Sequence, residues 1–211
     1  LPHAPEVIDV PPADSFRRPH RLSLAIRGVG GQGNLFFGKV LAQVAFLAGY
    51  DDRNILKGET HGMAQMGGPV ISTFGCGEVF SPALVPGTAN VLIAMEKAEV
   101  LRPGFLDLLE PGGTVLMADT RILPHGLKPE AYPSDEAIAA QLEGYRVVSV
   151  DVLSIALNLG DPKGRCANVA MLGVLSTLPP FDVVPEAVWL QALRGISRKP
   201  ALWDLNHAAF M

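Results

Sequence analysis

The sequence predicts an α/β fold in three layers, α/β/α. The middle layer is an open, Rossmann-like, mainly parallel sheet, with a mixed strand direction left open. Three observations carry this. Short apolar runs closed by glycine alternate with stretches of helical apolar spacing along most of the chain. The runs are nearly continuously apolar, as in strands buried on both faces. The first run, "LSLAIRG" (Leu22 to Gly28), leads through Gly28, Gly30 and Gly33 into a helical stretch. Those glycines spell G-x-G-x-x-G in the strand–loop–helix context of a phosphate-cradling turn.

The elements follow in order. Residues 1–21 carry Pro2, Pro5, Pro11, Pro12 and Pro19 and read as an extended tether, with the domain spanning 22–211. Either a starting methionine has been lost ahead of Leu1, or the stretch joins the domain to an upstream part of a longer polypeptide. "NLFFGKVLAQVAFLAGY" places Leu35, Val40, Leu41, Val44 and Leu47 near helical spacing, and Gly49 ends that helix. Ile55 and Leu56 form a short apolar segment, followed by a second glycine-rich loop, Lys57 to Gly68. "GGPVISTFGCG" is a β-rich run. Ala89 to Glu96, Gly113 to Thr120 and Tyr145 to Val152 are strands. Helices are predicted over Val100–Leu109, Ser134–Leu142, Val152–Leu159, Ala167–Leu175 and Pro185–Leu193.

Composition removes several function classes. A chain of 211 residues, 48% hydrophobic, buries a full core as one domain. Its net charge is −4, without a run of Lys or Arg, which argues against nucleic acid as a partner. No apolar run reaches the roughly 18 residues of a spanning helix, and no signal-peptide core is visible. A cytoplasmic protein without membrane contact is expected. Cys76 and Cys166 form no C-x-x-C pair, so an Fe–S cluster or a zinc site held by this chain is not expected, and both read as reduced core thiols. Only 18% of residues are charged, against about 25% in an average domain, so part of the surface is expected to be covered by a partner.

A nicotinamide dinucleotide is a poor fit to the glycine loop. A Rossmann half needs an acidic residue at the end of its second strand, about 20 positions on, to hold the ribose. Asp51 and Asp52 precede the next apolar residues, and Glu59 leads into the second glycine loop. Glycines that only let helix and strand pack closely are the plain alternative.

The second loop narrows the choice. "GVGGQG" at Gly28 to Gly33 is followed by "HGMAQMGG" at His61 to Gly68, then by "SPALVPGTANVLIAMEKAEVLR", "LEPGGTVLMAD" and "NVAMLGVL" at Asn168 to Leu175. This ordered set resembles the gamma-type domain of the 2-oxoacid:ferredoxin oxidoreductases, in the variant of the indolepyruvate branch. Met66 stands where that family usually has an arginine.

The resemblance implies a part of a multi-subunit enzyme that oxidatively decarboxylates a 2-oxoacid, indolepyruvate or another arylpyruvate, to an acyl-CoA. It implies thiamine diphosphate, magnesium and 4Fe-4S clusters on partner subunits or domains, with ferredoxin or another electron acceptor. It assigns this chain assembly contacts and part of the coenzyme A region, and no catalytic or metal-binding residue of its own. The candidate residues for that region, or for a contact with a partner loop, are Gly28, Gly30, Gly31, Gln32, Gly33, His61, Gly62, Gln65, Gly67, Gly68, Glu96 and Asn168.

Each has a plainer reading. His61 can brace local backbone, Gln65 can satisfy loop amides, and Glu96 can stabilise the first turn of the helix after it. Met63 and Met66 can be ordinary packing or an adaptable wall against a partner. Lys163 and Arg165 can meet phosphates or lie in a solvated loop. Strand-end placement gathers Glu96, Lys97, Asp119 and Thr120 on the carboxyl edge of the sheet, where ligands of open α/β sheets bind. Two other readings stay open: a free-standing nucleotide-binding enzyme, and a purely structural assembly domain.

Overall fold

A computed structural model describes residues 7–59, 68–123, 128–197 and 199–211. β1 (Arg21–Val29) runs into the glycine loop and α1 (Asn34–Leu47). β2 (Ile55–Glu59) and β3 (Pro69–Gly77) follow, then β4 (Ala89–Ala94), β5 (Leu109–Ala118), α2 (Asp135–Gln141) and β6 (Arg146–Val150). The chain closes with α3 (Val152–Asn158), α4 (Ala167–Leu175), α5 (Glu186–Ile196) and α6 (Pro200–Phe210).

The six strands lie in the order β2-β3-β1-β4-β5-β6. β1, β4, β5 and β6 are mutually parallel, and β3 runs antiparallel to both of its neighbours. The sheet is therefore mainly parallel and mixed by one strand. β4 is buried at all six positions, as the continuous run "ANVLIA" requires of a strand covered on both faces. Val91 and Ile93 face one core, and Leu92 and Ala94 face the other.

The two covering layers are unequal. On one face α1 packs against α5, and α4 against α6, around Phe37, Met171, Phe181 and Trp189. On the other, α2 and two 3₁₀ turns cover a smaller cluster of Val100, Phe105, Leu106, Ile138 and Leu142.

Several expectations are corrected. Val100–Leu109 is not an α-helix: the chain makes 3₁₀ turns at Lys97–Leu101 and Leu106–Leu108. Between them Pro103 offers no backbone N–H, and Gly104 takes a φ of 77°, so helical bonding cannot continue. Lys57 to Glu59 belong to β2 and not to a loop, because they pair with Phe74, Thr73 and Ser72. α5 runs to Ile196. α6 was not anticipated, although Pro200 at its first turn is a starting signal.

Residues 7–20 form no helix or strand, yet they lie against the domain. Val10 and Phe16 pack on the larger core. The Arg18 guanidinium donates to the Ala48 and Gly49 carbonyls at the end of α1. The Tyr50 hydroxyl donates to the Pro19 carbonyl at 2.7 Å.

Candidate functional site

After β1 the chain turns toward β2 and β3, and after β4 it turns toward β5, so a crevice opens between the carboxyl ends of β1 and β4. This is the switch point where open α/β sheets take ligands. The glycine loop closes its upper side. Gln32 reaches back under the loop: its Oε1 accepts from the Val29 amide at 2.7 Å, and its Nε2 donates to the Met95 carbonyl at 2.7 Å. One side chain thus fixes the loop to both strand ends. A Cβ on Gly28 would stand 2.8 Å from Gln32 Oε1 and 3.0 Å from Met95 Cβ, so only glycine leaves room for this clamp.

Gly33 caps α1 in the left-handed region, at φ 84°, and no side chain caps the helix. A Cβ there would run into the Asn168 carboxamide near the start of α4. Two helix N-termini therefore meet beside the loop, each with a partial positive charge. Gly31 also has positive φ, 99°, with open space beside it. Asn34 opens α1 and is buried, yet neither polar atom of its side chain has a hydrogen-bond partner among the described residues. A buried amide left so costs about 1–3 kcal/mol. A bound group that both donates and accepts, or ordered water, would satisfy it.

The second glycine motif arrives at the same place. Pro69 pairs with Val29, and the Gly30 amide donates to the Gly68 carbonyl at 2.8 Å. His61, Gly62, Gln65 and Gly67 lie outside the described residues. The structure thus gathers Gly28, Gly30, Gly31, Gln32, Gly33, Gly68 and Asn168 at one edge, with the backbone of Glu96 next to the Gln32 clamp.

The Glu96 carboxylate is engaged elsewhere. It caps the 97–101 turn by accepting from the Ala98 amide at 3.0 Å, and it also accepts from the Ile122 amide and the Tyr132 hydroxyl. Burial pushes its pKa up, against those three donors. Lys97 gathers Asp119 at 2.6 Å and Asp135 at 3.1 Å, and its amide donates to the Thr120 carbonyl. Glu99, also buried, pairs with Arg27 at 3.5 Å and Arg102 at 2.9 Å. Of the predicted strand-end polar residues, Lys97 and Asp119 are joined by an ion pair and Lys97 and Thr120 by a backbone hydrogen bond, while Glu96 turns to its own donors. The clamp of Gln32, the unpaired Asn34 and the Tyr132–Glu96 contact were not anticipated. Gln32 alone carried a signal, as the one long polar residue within "GVGGQG".

The dinucleotide reading fails on topology. The neighbour of β1 on the α1 side is antiparallel β3, which begins at this edge, so among the described residues no strand next to β1 ends there in an acid for a ribose. Glu59 ends β2, one strand further out. Cys76 and Cys166 are buried on separate elements, and burial raises both thiols, Cys76 to about 12. Two inert thiols cannot ligate a four-iron cluster. Among the described residues no three His, Cys, Asp or Glu side chains form a metal site. No helix among them is long and apolar enough to cross a membrane.

Comparison with known proteins adds the following. The family model described as pyruvate ferredoxin/flavodoxin oxidoreductase matches residues 23–211. The chain is 35% identical over 159 residues to indolepyruvate oxidoreductase subunit IorB of Archaeoglobus fulgidus, covering 74% of this chain and 76% of that one. It is 33% identical over 194 residues to the subunit of the same name from Thermococcus kodakarensis, covering 89% and 92%. Among solved structures it resembles pyruvate oxidoreductase subunit PORC of Thermotoga maritima, with a TM-score of 0.65 at 20% identity, covering 91% and 94%. It also resembles a 2-oxoglutarate:ferredoxin oxidoreductase of Magnetococcus marinus, TM-score 0.64 at 18% identity, covering 92% of this chain and 30% of that longer one.

Proposed function

Because the chain belongs to the pyruvate ferredoxin/flavodoxin oxidoreductase family, we propose that it is the gamma-type part of a thiamine-diphosphate-dependent 2-oxoacid oxidoreductase. The substrate is an aryl 2-oxoacid such as indolepyruvate, by analogy with the relatives' names. The observation that carries the reading is the family match across nearly the whole domain, with both glycine motifs meeting at one strand edge through Gly30 and Gly68.

In this reading thiamine diphosphate with magnesium and the 4Fe-4S clusters lie on partner subunits or domains, and the two buried, separate cysteines of this chain support that division of labour. Ferredoxin or another acceptor takes the electrons there. Coenzyme A fits this chain in part. The uncapped amides of α1, the glycines Gly31 and Gly33, and Asn168 would hold a phosphate-bearing portion, because helix N-termini favour anions. Coenzyme A supplies the thiol that takes the acyl group. The chain's own part is to bind and orient, with Gln32 keeping the loop in one geometry.

The test is co-purification from the native source followed by mass spectrometry of the intact complex. Partners carrying thiamine diphosphate and Fe–S clusters, with 2-oxoacid-dependent reduction of a viologen dye by the complex, support the reading. Dye reduction by the isolated chain, or a chain found alone in its native extract, overturns it. Met66→Asp tests the second motif as a contact, because a carboxylate buried against a partner without a counter-charge weakens assembly and activity together.

A further inference from the structure

Beside the glycine loop, on the face of the sheet opposite α1, lies a cavity of about 370 Å³. That volume falls in the range of small-molecule sites. Its walls are largely apolar: Val29, Pro69, Leu101, Pro103, Ile122 and Pro133. Four polar residues also line it, Glu96, Glu99, Arg102 and Tyr132.

Their charges are not evenly compensated. Glu99 is matched by Arg27 and Arg102, and Lys97 is matched by Asp119 and Asp135. Glu96, 2% exposed, has no ion pair among the described residues; its donors are two amides and a phenol. A carboxylate has about four acceptor positions, so Glu96 retains room for one more donor. A buried carboxylate without a cation is costly unless something supplies that donor. Arg102 differs. Its Nε and one terminal nitrogen bind Glu99, its side chain is 42% exposed, and its other terminal nitrogen is left for an anion at the rim.

We propose that this cavity is a binding subsite for a planar aromatic ring bearing an N–H and a carboxylate side arm. The apolar walls with their three prolines take the ring, Glu96 accepts the ring N–H, and Arg102 meets the carboxylate. The choice of ligand rests on the reading of the chain as part of an aryl 2-oxoacid oxidoreductase; an indole ring has the required shape and a single N–H.

The experiment titrates the full chain, without partners, with indole-3-acetate, 1-methylindole-3-acetate and 1-naphthaleneacetate, by calorimetry or by chemical-shift mapping. Indole-3-acetate binds the wild type, and the two probes lacking the N–H bind about tenfold more weakly or worse. Glu96→Met removes that preference, and Leu101→Trp, which fills the cavity, weakens all three. Equal binding of the three probes by wild type, no binding, or unaltered binding by Leu101→Trp overturns the subsite. These outcomes are independent of complex formation. A chain that discriminates the probes but joins no thiamine-bearing complex keeps the subsite and loses the family-based assignment of its role.

Discussion

The carboxamide of Gln32 and the carbonyl of Met95 are joined by a 2.7 Å hydrogen bond that ties the glycine loop to the end of β4. Because the same carboxamide also accepts from the Val29 amide, the loop between β1 and α1 is held at both sides of the crevice. The glycine pattern supplies the turn, and Gln32 supplies its rigidity.

Gln32→Ala removes both bonds and leaves the Val29 amide and the Met95 carbonyl without these partners. The expected loss is about 1–3 kcal/mol of folding stability. Gln32→Glu is expected to be worse, because its carboxylate can still accept from Val29 but faces the Met95 carbonyl without a hydrogen. Urea denaturation of the three proteins checks the order wild type, Ala, Glu; a more stable Glu variant contradicts the clamp.

Gly33→Val places a branched side chain at φ 84° and into the Asn168 carboxamide. The left-handed conformation alone costs about 1–2 kcal/mol for a residue with a Cβ. The collision adds overpacking of about 1–3 kcal/mol. Soluble yield and melting temperature are both expected to fall. Adding Asn168→Ala relieves the collision but not the backbone strain, so the double variant recovers only part of the loss. Full recovery assigns the whole effect to the collision.

Asn34→Leu exchanges a buried amide that has no partner among the described residues for an apolar side chain of similar size. If α1 opens onto a ligand, the variant melts higher than wild type in the absence of ligands and the complex uses coenzyme A less well. A lower melting temperature means that ordered water already satisfies the amide.

The Glu96 carboxyl has its pKa raised by burial above its ordinary value of 4.5. The folded state therefore holds this proton more tightly than the unfolded chain. Its contribution to stability is fully present below about 4.5 and is lost as pH rises through the raised folded value. Glu96→Gln, which imitates the protonated form, is expected to gain on wild type as pH rises through that window, and to match it below. Denaturant midpoints of both proteins across that window provide the check. A gap that widens as pH falls reverses the sign and the argument.

The elements visible in advance were those whose local chemistry and burial agree. β4 and β5 read as strands because their apolar runs are buried on both faces, and α1 because its spacing and Gly49 agree. The 97–108 segment did not, because its apolar residues have helical spacing while Pro103 and Gly104 forbid the hydrogen bonds. Strand direction was hidden for the same kind of reason. The antiparallel course of β3 depends on where its partner lies, and "PVISTFGCG" reads alike in either direction. At the site, the glycines were legible because backbone conformation selects them. The clamp by Gln32, the meeting of Gly33 with Asn168 and the Tyr132–Glu96 contact join residues far apart in the chain or side chains whose direction no spacing records.

The position of β1 has a consequence for how the chain assembles. The first strand of this domain in chain order lies inside the sheet, bordered by β3 and β4. Its backbone donors and acceptors have no strand to pair with until Pro69–Gly77 and Ala89–Ala94 have been made. The pairing of β1 is therefore non-local, and loop closure must be met before its two ladders form, which slows folding. During that interval "RLSLAIRGV" presents two open strand edges to the crowd around it, the condition under which nascent chains pair with the wrong neighbour.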